Sequence, residues 1–375
     1  MARCYGEKCP YVPNLRNIAG ERNNSPNWAQ IRQLTWLANN QFQVIHSKQT
    51  KNRPAEHSDT MPDRPHLLLV TPFHPETIGK LDQLYQTHHL WRQSSSGKRE
   101  LIGELEGSCR AAVTASWHRE ELIYQLGSLE FIACFGVGVD LIDFSQTRSL
   151  GIRVSNTPDV LNDSVADIAL ALILATLRNT VSADKFVRSQ QWSQHQFKFG
   201  HDMAGKTLGI IGLGRIGEAI VHRALAFKMK IAYHNRSPKN LPYTYYPTTA
   251  ELADNCDVLL CLLPGGEDTN NVIGAEVFQN LGPEGIFINV GRGSSVDEEA
   301  LVAALEAGLI AGAGLDVYAH EPNLPEALLS MEQVVLFPHI GTSTVETRRE
   351  MGNLVIRNLQ AFFDNKPLIS EVDPP

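Results

Sequence analysis

Three residues in the last quarter of the 375-residue chain have types and spacing suited to chemistry: Arg292, Glu321 and His339. Each follows a short apolar run: Ile286-Phe-Ile-Asn-Val-Gly-Arg292, Gly312-Ala-Gly-Leu-Asp316 leading on to Glu321, and Val334-Val-Leu-Phe-Pro-His339. A guanidinium can hold a carboxylate through two parallel hydrogen bonds, an imidazole can give up a proton, and a neighbouring carboxylate favours the protonated ring. Upstream, Gly212-Leu-Gly-Arg-Ile-Gly217 directly follows the apolar run Thr207-Leu-Gly-Ile-Ile211. A dinucleotide cradle followed by a cation, a carboxylate and an imidazole has the parts for hydride transfer to a 2-keto acid.

The cradle is specific only in its context, a strand before it and a helix after it, and both are expected here. Gly212 makes the tight turn, Gly214 lets the backbone approach a pyrophosphate, and Gly217 permits close packing of helix on strand. The end of the next strand bears on which dinucleotide fits. Tyr233-His-Asn235-Arg236-Ser237-Pro238 carries no acid for a ribose hydroxyl. Arg236 offers a fork for a 2′-phosphate, with Asn235 and Ser237 as further donors, so NADP(H) is expected ahead of NAD(H).

A lone arginine near a strand end is usually a surface residue. Gly291 and Gly293 flank Arg292, however, and would let the backbone pass close to a ligand. His320 competes with His339 as proton donor. It adjoins Glu321, and neighbours along an extended chain point to opposite sides, so His320 is expected in solvent.

These residues need a scaffold. From residue 66 apolar strands alternate with amphipathic helices, the pattern of α/β parallel sheets covered by helices. Strands are expected at 66–71, 111–114, 129–133, 151–155, 207–211, 229–234, 257–261, 286–290 and 311–315. Pro75 is placed to start a helix. Ser164 to about Asn179 reads as a helix apolar nearly all round, hence buried. Residues 180–204 carry Phe186, Trp192, Phe197 and Phe199 among polar residues, which suggests an arm packed on a partner. A long helix over Ser343–Phe363 could return to the first part of the chain.

The first 60 residues differ, with eight Lys/Arg against four Asp/Glu and one helical candidate near Trp28–Phe42. They read as a disordered tail or as an extension upstream of a functional start at Met61. A transit peptide fits poorly, and no secretory signal core is present. The net charge of −8 argues against a nucleic-acid surface, and no apolar run is long enough to span a membrane. The cysteines Cys4, Cys9, Cys109, Cys134, Cys256 and Cys261 show no CxxC pair. They read as reduced cytoplasmic thiols, not as disulfides or a metal site.

From about residue 66 onward the chain resembles the D-isomer-specific 2-hydroxyacid dehydrogenases, and within them the NADP(H)-preferring glyoxylate/hydroxypyruvate reductases. The stretches that carry the resemblance are Gly136-Val-Gly-Val-Asp140, Asn156-Thr-Pro-Asp159, Gly212–Gly217, Pro264-Gly-Gly with Thr269, Asn289-Val-Gly-Arg-Gly293, Gly314-Leu-Asp-Val-Tyr318 with Glu321-Pro322, and Pro338-His-Ile-Gly341. The resemblance implies two Rossmann-like domains, with the nucleotide-binding domain (161–342) inserted into a flavodoxin-like substrate domain (61–160 plus 343–375). It implies that Val137 and Gly138 offer backbone N–H groups to the substrate carboxylate beside Arg292. It also implies that Asp316 holds the nicotinamide carboxamide, and that Leu213, Arg215, Ile216, Pro264, Thr269, Val290, Gly291, His339 and Gly341 lie at the cofactor. Family members usually pair as homodimers through the nucleotide domain. Ser116-Trp117-His118-Arg119 departs from the family's small residues at that point, and Trp117 would narrow the entrance for a small 2-keto acid. Two rivals stand beside this reading. One is a dinucleotide-sensing corepressor on the same fold. The other is oxidation of a small inorganic or one-carbon acid, against which Glu321 and His339 argue mildly.

Overall fold

The computed structural model describes residues 64–372, so the helical candidate at 28–42, Cys4 and Cys9 lie outside the described residues. Twelve strands are described: β1 His66–Leu69, β2 Gln86–His89, β3 Cys109–Ala115, β4 Phe131–Phe135, β5 Arg153–Ser155, β6 Thr207–Ile211, β7 Lys230–His234, β8 Thr244–Tyr245, β9 Val258–Cys261, β10 Ile286–Asn289, β11 Gly312–Leu315 and β12 Val334–Leu336. They form two parallel sheets, ordered β2-β1-β3-β4-β5 and β12-β11-β10-β9-β6-β7-β8. The central strands are continuous apolar runs because helices cover both faces.

Most expected strands sit within two residues of the observed ones. The expected 129–133 strand begins later, at Phe131, because the Leu129 amide still closes a turn onto Leu126. Two strands escaped the apolar pattern. β2 reads Gln-Thr-His-His on the sheet edge, and β8 has two residues.

Each sheet has its strand order reversed about one point, between β1 and β3 in the first and between β6 and β9 in the second. Crevices open at the carboxyl ends of strands flanking such a point. The helix Asn162–Leu177, hydrophobic nearly all round, packs on β10, β11, β12 and the helix Arg215–Ala226. Nine of its residues are buried, which accounts for its composition without a lipid phase. Among the described residues no single helix is long and apolar enough to cross a membrane. This helix and Thr180–Arg188 pass on length and composition only as a pair bent by 61°.

The helix Val345–Phe363 returns to the first sheet, lying on β4 and beside the helix Pro75–Leu84. Met351, Val355, Leu359 and Phe362 join Leu67, Val113 and Phe131 in one buried cluster. The chain then bridges back to β5, where Arg153 and Glu371 form a two-pronged ion pair at 2.6 and 2.8 Å.

Candidate active site

The glycine turn has the geometry of a phosphate cradle. Gly212 adopts a φ of +88°, in the left-handed region where a Cβ is penalised. A Cβ on Gly214 would meet nothing within 4 Å, so the space beside it is open to a ligand. The helix Arg215–Ala226 starts from Gly214 with no side chain capping it, which leaves first-turn N–H groups free for an anion. Gly217 packs closely, since a Cβ there would lie 3.4 Å from Leu213 and Leu262. These features fit a dinucleotide pyrophosphate.

At the end of β7, the Asn235 amide donates to the Leu213 carbonyl at 3.2 Å, which holds the strand end against the glycine turn. Arg236 and Ser237 follow, both exposed, and Arg236 has no ion-pair or hydrogen-bond partner among the described residues. The Arg215 side chain is committed elsewhere, to Asp159 at 3.0 Å.

A cleft of about 200 Å³ lies where the strand ends of the two sheets meet. Val137, Gly138, Ile216, Pro264, Val290, Gly291, Arg292, Asp316, His339 and Gly341 all line it. Trp117 and Met351 line it as well. Thr269 does not. Its hydroxyl donates to the carbonyls of Pro264 at 2.7 Å and Gly266 at 3.1 Å, so it braces the turn that carries Pro264.

Arg292 is held from behind. Asn289, 1% exposed, accepts from the Gly291 amide and donates to the Arg292 carbonyl, and the buried Ser295 hydroxyl donates to that same carbonyl at 2.7 Å. Its Nε lies 3.2 and 3.3 Å from the two Asp140 carboxylate oxygens, and Nη1 donates to the Gly291 carbonyl. Asp140 was missed as a site residue on sequence grounds, although it closes a quoted motif. A Cβ on Gly138 would overlap the Arg292 guanidinium, so any larger residue there would push that side chain from its place. The carbonyls of Val137 and Gly138 are occupied, by the Asn156 amide and the Cys134 thiol. Their N–H groups donate to no described residue.

The His339 Nδ1 lies 2.7 Å from Glu321 Oε2, with both side chains about one-third exposed. Nε2 is therefore the nitrogen left for a ligand. His339 takes a φ of +53°, uncommon for a residue with a Cβ and a form of strain that clusters at functional sites. Asp316 holds that backbone: its carbonyl accepts from the His339 amide, and its carboxylate oxygens accept from the amides of Ile340 and Gly341, each at 2.8 Å. Burial lifts the Asp316 carboxyl above the ordinary carboxylate range despite those bonds. Burial also opposes charge on Glu321, but hydrogen bonding and charge from His339, with help from the Tyr318 amide and Arg292, hold its carboxyl below the ordinary value. His320 is exposed, as expected.

The doubly wound sheets, the uncapped glycine-turn helix and a cleft holding an arginine and a carboxylate–imidazole pair define a dinucleotide-dependent oxidoreductase. The sequence pattern of the NAD-binding domain of the D-isomer specific 2-hydroxyacid dehydrogenases matches residues 170–341. The chain is 45% identical over 309 residues to hydroxyphenylpyruvate reductase of Plectranthus scutellarioides, covering 82% of this chain and 98% of that protein. It is 42% identical to glyoxylate/hydroxypyruvate reductase A of Arabidopsis thaliana, with the same two coverages. Its fold superposes on an NADPH-dependent glyoxylate/hydroxypyruvate reductase from Sinorhizobium meliloti, solved with NADP and malonate, with a TM-score of 0.76 at 39% identity over 82% of this chain and 97% of that one. The chain belongs to the D-isomer specific 2-hydroxyacid dehydrogenase family.

Proposed function

We propose that the protein reduces a small 2-keto acid of the glyoxylate or hydroxypyruvate kind to the D-2-hydroxy acid with NADPH. The observation that carries this reading is the 2.7 Å His339–Glu321 pair in the same cleft rim as Arg292. The names of the relatives, reductases of such acids, support it.

Arg292 and the free N–H groups of Val137 and Gly138 bind the substrate carboxylate and turn the keto group toward His339. When bound, NADPH supplies the hydride, which goes to the keto carbon. His339 Nε2 gives its proton to the carbonyl oxygen, and Glu321 stabilises the imidazolium before transfer. Arg292 would polarise the carbonyl as well as hold the carboxylate. Asp316 keeps the His339 loop in place and can meet the nicotinamide carboxamide with its remaining lone pairs.

Arg236 is proposed to bind the 2′-phosphate, supported by its exposure beside an Asn235 that is tied to the glycine turn. The test of both ideas is reduced-nicotinamide absorbance with glyoxylate, hydroxypyruvate and pyruvate, each with NADPH and with NADH. Faster oxidation of NADPH is expected. Arg236→Ala should raise the NADPH KM on the order of tenfold, the scale of one charge-assisted hydrogen bond, and leave NADH nearly unchanged. Equal losses for both cofactors would return Arg236 to the surface charges.

The proposed division of labour gives residues 61–160 plus 343–375 to substrate and 161–342 to the dinucleotide, in line with the return of the last helix to the first sheet. A homodimer through the nucleotide domain is proposed on the aromatic arm, where Trp192 is 69% and Phe199 96% exposed. Sedimentation should give twice the chain mass, and Phe199→Ser with Trp192→Ser should shift it to one chain. A monomeric parent protein would end that proposal. The free thiols of Cys109, Cys134, Cys256 and Cys261 support a reducing, cytoplasmic setting.

A further inference from the structure

Arg348 has no role in the chemistry above, yet it packs on Trp117, which lines the cleft. It lies three residues before Met351 on the helix Val345–Phe363, so the two share a face, and Met351 lines the cleft. Its guanidinium carbon sits 4.8 Å from the centre of the Trp117 ring and 5.6 Å from that of Phe135. Trp117, another lining residue, meets Phe135 edge to face at 6.1 Å. Arg348 therefore lies over the indole that walls the substrate-sheet side of the cleft.

Its polar partners are few. One Nη donates to the Ser343 hydroxyl at 3.3 Å, and among the described residues no carboxylate lies within ion-pair distance. Arg292, which lines the cleft, has Asp140. Burial alone pushes the Arg348 guanidinium down from the ordinary arginine value. With one protein acceptor among the described residues, most of its five donors remain available to a ligand. Contact with the Trp117 ring face uses the charge of the guanidinium and none of its hydrogen bonds, so the N–H groups other than the one on Ser343 stay available.

We propose that Arg348, held over the Trp117 ring, is a specificity-determining residue that donates to an oxygen on the third carbon, or beyond, of the 2-keto acid. The inference rests on the keto acid reduction proposed above. It divides substrates into those that carry such an oxygen, as hydroxypyruvate does, and those that lack it, as pyruvate and glyoxylate do.

The experiment compares kcat/KM for hydroxypyruvate, pyruvate and glyoxylate in the wild-type protein and in Arg348→Met, which keeps an unbranched apolar stem and removes the donors. The hydroxypyruvate-to-pyruvate ratio should fall on the order of 10- to 100-fold, mainly through KM, while glyoxylate stays within about twofold, as expected for one hydrogen bond from a charged donor. Should Arg348→Met not fold, Arg348→Lys retains the charge without the fork, and the same ratio should still fall. A ratio that does not move, or equal losses on all three acids, overturns the inference and leaves the reductase reading standing. A wild-type protein that reduces none of the three overturns both.

Discussion

Replacing His339 by Asn lowers kcat by on the order of 10²–10⁴, the share usual for a positioned general acid, while NADPH still binds. Asn is the better probe than Ala because the backbone at 339 sits at a φ of +53°. Asn tolerates that region, whereas Ala would add about 1 kcal/mol of backbone cost and blur the reading. The tie from Asp316 meets residues 339, 340 and 341 only at their backbone amides, so the loop persists in the variant. NADPH affinity is read by fluorescence and turnover by absorbance. Wild-type turnover in this variant would remove His339 from the mechanism.

The pH dependence follows from Glu321. A carboxyl held below its ordinary value is fully ionised above that value and loses its charge only as pH falls through the lowered one. Its support for the imidazolium is thus complete at neutral pH. Glu321→Gln removes that support at every pH, so turnover should fall across the whole profile, and the dependence on Glu321 ionisation that wild type shows as pH falls through the lowered value should vanish.

Arg292→Ala is expected to cut kcat/KM on the order of 10²–10³, the scale of losing a charged donor at the reacting oxygen. The loss should reach kcat as well as KM, because one group both anchors the acid and polarises its carbonyl. Arg292→Lys should recover little, since a point charge cannot reproduce the fork. The alanine variant also leaves Asp140, whose side chain is 13% exposed, facing an empty space. An unpaired buried charge destabilises strongly. Adding Asp140→Asn should therefore restore thermal stability without restoring activity. If activity returned with stability, Arg292 would be a structural residue and no substrate anchor.

Much of this was legible along the chain. The glycine turn, its flanking strand and helix, and the Arg292, Glu321 and His339 set all come from local patterns; Arg292 and His339 line the cleft, and Glu321 joins them through its bond to His339. What stayed hidden depends on distance in sequence. Asp140 and Arg292 are 152 residues apart, and only the facing of the two sheets makes them a pair. Arg348 reads as one more charge in Thr-Arg-Arg-Glu at a helix start, and its stacking on Trp117 needs the return of that helix to the first sheet. β2 carries no apolar alternation because an edge strand with a polar sequence gives no periodic signal. Thr269 matched a family stretch, but its hydroxyl turns inward to carbonyls of its own turn.

The return of the helix Val345–Phe363 to the first sheet also matters while the chain is being made. That sheet leaves the ribosome complete by β5, yet Met351, Val355, Leu359 and Phe362, which cover Leu67, Val113 and Phe131, emerge only near the end. At usual elongation rates the intervening 200 or so residues take roughly 10–40 s. Through that interval the face of the earliest sheet has Phe73, Leu81 and Tyr85 beside it but lacks the four side chains of the last helix. The first sheet thus takes on its full apolar cover only once the helix Val345–Phe363 has been made.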